Sequence, residues 1–529
     1  MSKRLLILVS ILLLSLFLVS CGGSTSNGTG SSGSASSKPE RSRVLNYTFG
    51  AKIGGLNIFR NNGPMEIIGH EFNFDALFYS DHSGGEYRPM LATSWESDPE
   101  GYWWIFHLRE GVKWHDGEPF TADDVVYTYN HLKELGSESN VFITYMPVLD
   151  RAEKIDDFTV KIYFTQPYPL AKTGFRCVYI IQEKLHRQLG DDAYFLPENI
   201  VGTGSWILTE WIDGQYVHFV KNPDRWDKEY DSYFDEVYYW QLNEPSSIVA
   251  AMISGDIDLY APQGGISGDF VPLFDQAKDR IDIQVIETSM IQFMTLQMTD
   301  GKPFSNQYLR EAASLAVNRQ EIIDNIWGLG QLPKGYLHPS VPGATLNPDY
   351  ARYDPERAAQ LVAEYYDGTP LHIIGSAVHM RAEDVSLALA DYLTKVGFVV
   401  GEVYNGEGTT ATTRRRDGDY DIFLSSVAIP DGLPSRHWNT LLSDTSGTDN
   451  KDEVLFGYIR EFNQQMDEAR RLELTGLITD RIMEVYAPHV VIGTSDVYYA
   501  IEKGIVGHEF FADGMTNMSW ISYDPSLVQ

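Results

Sequence analysis

This chain reads as an α/β protein of mixed strand and helix order, too large for one sheet and so divided into two lobes or more. Three observations predict that class. Its 529 residues exceed what one core ordinarily organises. Segments with the two-residue period of strands alternate with segments of helical period. No internal repeat, heptad run or low-complexity tract follows Ser37.

Taken in order, "WWIFHLR" puts Trp104, Phe106 and Leu108 on one face and Trp103, Ile105 and His107 on the other, which is the alternation of a strand. Asp116-Gly117 marks a turn. Thr121 and Asp124 then form a capping-box pattern, and Ala122, Val125, Val126, Tyr129 and Leu132 make one helical face. "YVHFV" and "DEVYYWQL" predict strands around the turn-rich "KNPDRW". "SSIVAAMISG" predicts a short helix stopped by Gly255, and "IDLYA" returns as a strand. "NQYLREAASLAVNRQEIIDNIWGLG" predicts one long helix stopped at Gly328, with Leu309, Ala312, Ala313 and Ala316 on its apolar face. Asp354 and Pro355 open the next helix as N-cap and first residue. "PLHIIGS", "LALADYLTKVG", "FVVGEVY" and "YDIFLSS" then read as strand, helix, strand, strand.

The start of the chain has its own pattern. Lys3 and Arg4 precede an apolar run from Leu5 to Val19, whose length suits the hydrophobic region of a secretory signal. Small Ser20 and branched apolar residues before Cys21, in "LVSC", are similar to the bacterial lipobox, in which the thiol is lipidated and the signal is cut just before it. Residues 1–20 are therefore expected to be a lipoprotein signal and 21–40 a Gly/Ser-rich tether behaving as flexible coil. Acyl chains on Cys21 would hold the protein on a membrane, each buried methylene contributing about 0.8 kcal/mol.

Composition narrows the chemistry. Only Cys21 and Cys177 occur, so a disulfide framework is excluded, a thiolate cluster is not expected, and Cys177 reads as an apolar core residue. Formal net charge is -32, and loss of Lys3 and Arg4 takes it to -34, a field that repels phosphate backbones and excludes a nucleic-acid partner. Arg414, Arg415 and Arg416 form the only basic run and read as a solvated surface turn. "HEFNF" at His70 and "HEFFA" at His508 lack the second histidine of a zinc protease, and neither GxSxG nor a Walker motif occurs. "GEGTTA", Gly406 to Ala411, matches GxGxxA formally, but "TTRRRDGD" follows instead of an apolar helix. His115 and Asp116 in "WHDG" read as polar groups of a turn. The expectation is a protein that is not an enzyme, with no catalytic set, no metal site and no cofactor.

One family accounts for the order of landmarks. "RPMLATSWESDPEGYWWIFHLREGVKWHDGEPFTADDVVYTYNHLKE", Arg88 to Glu134, resembles the signature segment of the large solute-binding proteins of ABC importers, the oligopeptide/dipeptide/nickel-binding group (family 5). "GTGSWILTEW", "VKNPDRW", "MISGDIDL", "KPFSNQYLREAASLAVNRQEII", "YDPERAAQLV", "HWNTLLSD" and "YAPHVVI" follow in that family's order, so the resemblance covers roughly residues 44–505. It implies a periplasmic-binding-protein type II-like fold (cluster C), with two ligand-gripping lobes joined by a hinge plus an extra lobe. Lobe I would comprise 41–60, 199–305 and 496–529, the extra lobe II 61–198, and lobe III 306–495.

The resemblance also implies a function: capture of a peptide or similar medium-sized polar solute by lobe closure, and delivery to an ABC permease and ATPase complex. The alternatives are the same fold binding an oligosaccharide, a nickel complex or another small solute, or serving as a surface receptor or sensor. The protein would be extracytoplasmic, lipid-anchored to the bacterial cell membrane and monomeric. Peptide-binding members carry a Trp and, three residues later, an Asp that holds the peptide amino terminus; counting back from Pro434 puts Val427 and Pro430 there, with Asp431 one residue late. Leu56-Asn57-Ile58 likewise stands where the family has Leu-Asp-Pro. Matched strand ends nominate Asp431, His437 and Trp438, Tyr260 and Gln263, and Gly50, Ala51 and Lys52 as ligand contacts.

Overall fold

Three sheets carry the body of the chain. The computed structural model describes residues 41–60, 64–80, 87–262, 264–347, 349–376, 381–406, 408–427, 429, 434–442, 448–485, 488–510 and 516–528. Cys21 and the Gly/Ser tether lie outside them, as do Gln263, Pro430 and Asp431. Residues 43–529 cluster as one unit.

The first sheet has seven strands, in the spatial order Ile281–Ile286, Val497–Glu502, Leu259–Tyr260, Val44–Thr48, Glu236–Trp240, Tyr216–Lys221 and Trp206–Ile212. Val44–Thr48 runs parallel to both Glu236–Trp240 and Leu259–Tyr260, and the other pairs are antiparallel. The second sheet has five strands, in the order Val400–Gly406, Leu371–Ser376, Ile422–Val427, Ile291–Leu296 and His489–Thr494; the first three are parallel, the last two antiparallel to their neighbours. All six residues of Ile291–Leu296 and of His489–Thr494 are buried, so both faces of the sheet are covered there even though His489–Thr494 is an edge strand. The third sheet is antiparallel, ordered Ala92–Ser97, Trp103–Leu108, Thr159–Phe164, Leu149–Asp156.

Local chemistry explains several elements. Trp104, Phe106 and Leu108 are the buried face of their strand. Thr121 and Asp124 complete a reciprocal capping box on the helix Ala122–Leu135, whose Val125, Tyr129 and Leu132 are buried. Asp354 accepts from Arg357 N and caps Pro355–Tyr365. Cys177 is half-buried at the edge of the core. No helix among the described residues is long and apolar enough to cross a membrane.

Three sequence expectations are corrected. The long helix from Asn306 breaks: Gln307–Ala316 ends at extended Val317, Asn318 caps a short turn Arg319–Ile322, and a π-turn Ile323–Trp327 follows. The cause is Arg319, which is fully buried and donates to Val491 O at 2.8 Å and Ser314 O at 2.9 Å, bonds that a continuous helix would not place. The arginine triplet lies in the last turn of a helix, Gly408–Arg416, and not in a surface turn. Arg414 grips Glu402 with two bonds of 3.0 and 2.7 Å, and Arg415 turns inward over Phe423, 5.3 Å from the ring centroid. Finally, Ile291–Leu296 was expected in lobe I but pairs within the second sheet, so the passage between sheets falls at 287–290 and not at 305.

The extra sheet's segment is pinned to the first sheet by a buried ion pair. Arg225 Nη1 lies 2.6 Å from Asp75 Oδ2, and that oxygen also accepts from Thr203 Oγ1 and Trp226 Nε1, both at 2.9 Å. Gly202 lies so close to the end of helix Pro64–Asn73 that an added Cβ would stand 1.7 Å from Asn73 O, which explains the Gly-Thr-Gly sequence. Removing one partner of a buried pair strands the other charge, so Asp75→Ala is expected to cost about 3–5 kcal/mol of unfolding free energy. Denaturant unfolding checks this; a loss below about 1 kcal/mol would show the pair to be dispensable.

Candidate functional site

Strand direction locates the candidate cleft. In the first sheet the parallel strands end at Thr48, Trp240 and Tyr260; in the second they end at Ser376, Gly406 and Val427. The same ends face the two passages that join the sheets. Ile291 stands opposite Val427 and Thr494 where one passage enters the second sheet, and Ile286 opposite Val497 where both passages meet the first. In α/β sheets, ligands bind beyond the carboxyl ends of parallel strands, where helix N-termini and loops supply polar groups.

The two passages, residues 287–290 and 495–496, are tied together. Thr288 Oγ1 donates to Ser495 O at 2.6 Å, Thr288 N donates to Asp496 Oδ1 at 3.3 Å, and Ser495 N donates to Met290 O at 3.3 Å. Thr288, Ser289 and Ser495 are buried. Burial pushes the Asp496 carboxyl above its usual range and the His338 imidazole beside it below. A shallow depression beside the passages is lined by Ile291, Gln331, Lys334, His338 and Thr494. Another is lined by Gln292, Phe293, Ala382, Val385 and Ser425.

The nominated residues separate into groups. Gly50 and Tyr260 come together: a Cβ at Gly50, whose φ is +71°, would stand 3.1 Å from the Tyr260 ring. Thr48 Oγ1 organises this end, accepting from Gly50 N at 3.1 Å and donating to Trp240 O at 2.6 Å. Tyr260 is buried, and burial pushes its phenol up to about 12. Ala51 O accepts from Tyr239 OH at 2.6 Å, while Lys52 pairs with Asp213 at 2.7 Å on the surface.

The side chains of His437 and Trp438 are both buried in the second lobe. Trp438 packs edge-on against Phe462 at 4.8 Å, and His437 bonds to Tyr336 OH and stacks on His489 at 5.1 Å. Both lie on the helix Ser435–Leu442. Two residues that sequence reasoning missed do bridge the strand ends. Arg381, in left-handed backbone at φ 51°, sends Nη1 to Asp269 Oδ2 at 3.0 Å and Nε to Asp384 at 2.6 Å. Arg381 follows the strand ending at Ser376 of the second sheet, and Asp269 follows the strand ending at Tyr260 of the first. The acidic first turn of helix Ala382–Lys395 was the available signal for Arg381.

Comparison with known proteins agrees with this architecture. Residues 86–449 match the model of "Bacterial extracellular solute-binding proteins, family 5 Middle", and the chain belongs to that family. It is 26% identical over 411 residues to the periplasmic oligopeptide-binding protein OppA of Haemophilus influenzae, covering 71% of this chain and 74% of that one. It is 28% identical over 384 residues to the nickel-binding periplasmic protein of Escherichia coli, covering 65% and 71%. A Pseudoalteromonas dipeptide-binding protein, solved in complex with Met-Leu, superposes with a TM-score of 0.79 at 19% identity, covering 91% of this chain and 100% of the other. The fold is thus that of the family 5 binding proteins, as the sequence landmarks implied.

The histidines buried around this framework make stability acid-sensitive. Burial pushes His70 and His437 down to about 3 and His489 well below its ordinary value. In the unfolded chain each titrates near 6.5. The folded state therefore holds its full advantage above pH about 6.5 and loses it as pH falls below, at up to about 1.4 kcal/mol per pH unit for each histidine. Unfolding measured from pH 7.5 to 5 is expected to show this decline before the carboxylates titrate. A flat response between pH 6.5 and 5 would contradict it.

Proposed function

We propose that this protein captures a peptide between the carboxyl ends of its two parallel-strand sets and delivers it to an ABC permease and ATPase complex. The observation that carries the reading is the opposition of those strand ends across a junction of two tied passages. Such a junction permits rotation of one sheet against the other, and a ligand touching both sides selects the closed arrangement by its differential affinity. The Arg381–Asp269 ion pair spans the two sides and is largely exposed, so it supports closure without locking it.

Peptide is the solute favoured by the oligopeptide-binding and dipeptide-binding relatives. The nickel-binding relative favours a second reading, a metal complex as solute. Thermal unfolding in the presence of peptides, oligosaccharides and nickel chelates separates them, since a ligand at 100 times its Kd adds about 2.7 kcal/mol. Peptides are expected to raise the midpoint. A rise with sugars or nickel chelates only would overturn the peptide reading.

The same proposal places the protein outside the cytoplasm as a monomer, anchored by lipid on Cys21. Cys21→Ser is expected to move it from the membrane fraction to the soluble extracytoplasmic fraction with solute binding intact. Unchanged membrane association would count against lipidation at Cys21.

A further inference from the structure

Away from the cleft, three side chains on three helices of the extra sheet's segment converge. His131 lies in Ala122–Leu135, His186 in Glu183–Leu189, and Asp191 opens Asp191–Tyr194. Asp191 Oδ1 is 2.8 Å from His131 Nε2 and 2.9 Å from His186 Nε2, and the ligand atoms of all three lie within 4.8 Å of one another. We propose that His131, His186 and Asp191 hold a divalent transition-metal ion of the zinc type, resident in this lobe and separate from the solute cleft.

The chemistry of the donor set fits. Two imidazoles and one carboxylate form a common three-ligand set for zinc, with a fourth position left for water or another oxygen. Zn–N and Zn–O bonds of about 2.0–2.1 Å place tetrahedral ligand atoms about 3.3 Å apart, so Asp191 Oδ1 would withdraw from each ring by about half an ångström and the two rings, whose ligand atoms lie within 4.8 Å of one another, would swing together onto the ion. The second nitrogen of His186 also has a neighbour suited to orient it. Tyr127 OH lies 2.8 Å from His186 Nδ1 and can accept from it, which leaves the Nε2 lone pair for an ion.

The second observation concerns His186. Its side chain is only 3% exposed, and Nε2 makes no hydrogen bond among the described residues despite its 2.9 Å approach to Asp191. A buried ring nitrogen without a hydrogen bond is costly in a purely polar cluster. Coordination would satisfy it. His131 and Asp191 are 14% and 21% exposed, which leaves the ion a route in and a side open for a fourth ligand.

The test uses the intact, untagged chain after chelator treatment, dialysed against Zn²⁺ and, as a spectroscopic probe, Co²⁺. One Zn²⁺ per chain, visible absorption of four-coordinate Co²⁺ and a raised thermal midpoint are expected. His131→Gln, which keeps a hydrogen-bonding group beside Asp191, and Asp191→Asn are each expected to weaken Zn²⁺ binding at least about tenfold while peptide binding stays unchanged. Stoichiometric Zn²⁺ binding that both variants leave intact would place the ion elsewhere and overturn the proposal. Absence of stoichiometric Zn²⁺ and of the Co²⁺ bands in the parent chain would overturn it without any variant, and neither result bears on the solute reading.

Discussion

The hydrogen bond from Thr288 Oγ1 to Ser495 O, 2.6 Å long and buried, ties together the two places where the chain passes between its main sheets. Much else depends on it. If the two passages could separate, the strand ends they connect would have no fixed line of approach. With them tied, the parallel strands on either side end toward the same junction. The polar groups at the bend are met by Thr288 and Asp496 side chains, so the backbone can leave the sheet ladder there without stranding donors.

The junctions in the molecule differ in strength in a way that matches their roles. The extra sheet is joined to the first by Asp75, Arg225, Thr203 and Trp226, a buried group in which every partner depends on the others. Breaking such a set is expensive, and that junction is permanent. The bridge across the strand ends, Arg381 to Asp269, is partly exposed, and the arginine pairs with Asp384 at the same time through Nε. It forms and releases at little cost. Electrostatics thus distinguishes a buried junction from a partly exposed one.

Much of this was legible in the residues. The capping box at Thr121 and Asp124, Pro355 after Asp354, and the alternation of Trp104, Phe106 and Leu108 are local signals whose structural outcome is set within a few residues. Landmark order carried the family and fold. The failures share a long-range cause. Helical periodicity ran through Val317 and Asn318, and only the carbonyl of Val491, far away in sequence, makes Arg319 turn inward and break it. Ala411 and Arg415, four residues apart, share the inward side of a helix that composition alone did not predict. His437 and Trp438 follow a strand end, and the helix Ser435–Leu442 sets them against Tyr336, His489 and Phe462, contacts that the sequence did not show. Proximity along the chain could place the loop; it could not set the direction of its side chains.

The position of Val497–Glu502 between Ile281–Ile286 and Leu259–Tyr260 bears on how the protein is made. The seven-stranded sheet begins with residues near the start of the body and cannot be completed until residues near its end arrive. A chain threaded outward through a membrane would therefore keep that sheet open through nearly its whole passage, with Ile281–Ile286 lacking its hydrogen-bonding neighbour. Long-range pairing of this kind is slow to form. During export that delay is useful, because a body whose first sheet closes last remains threadable until almost all of it has crossed.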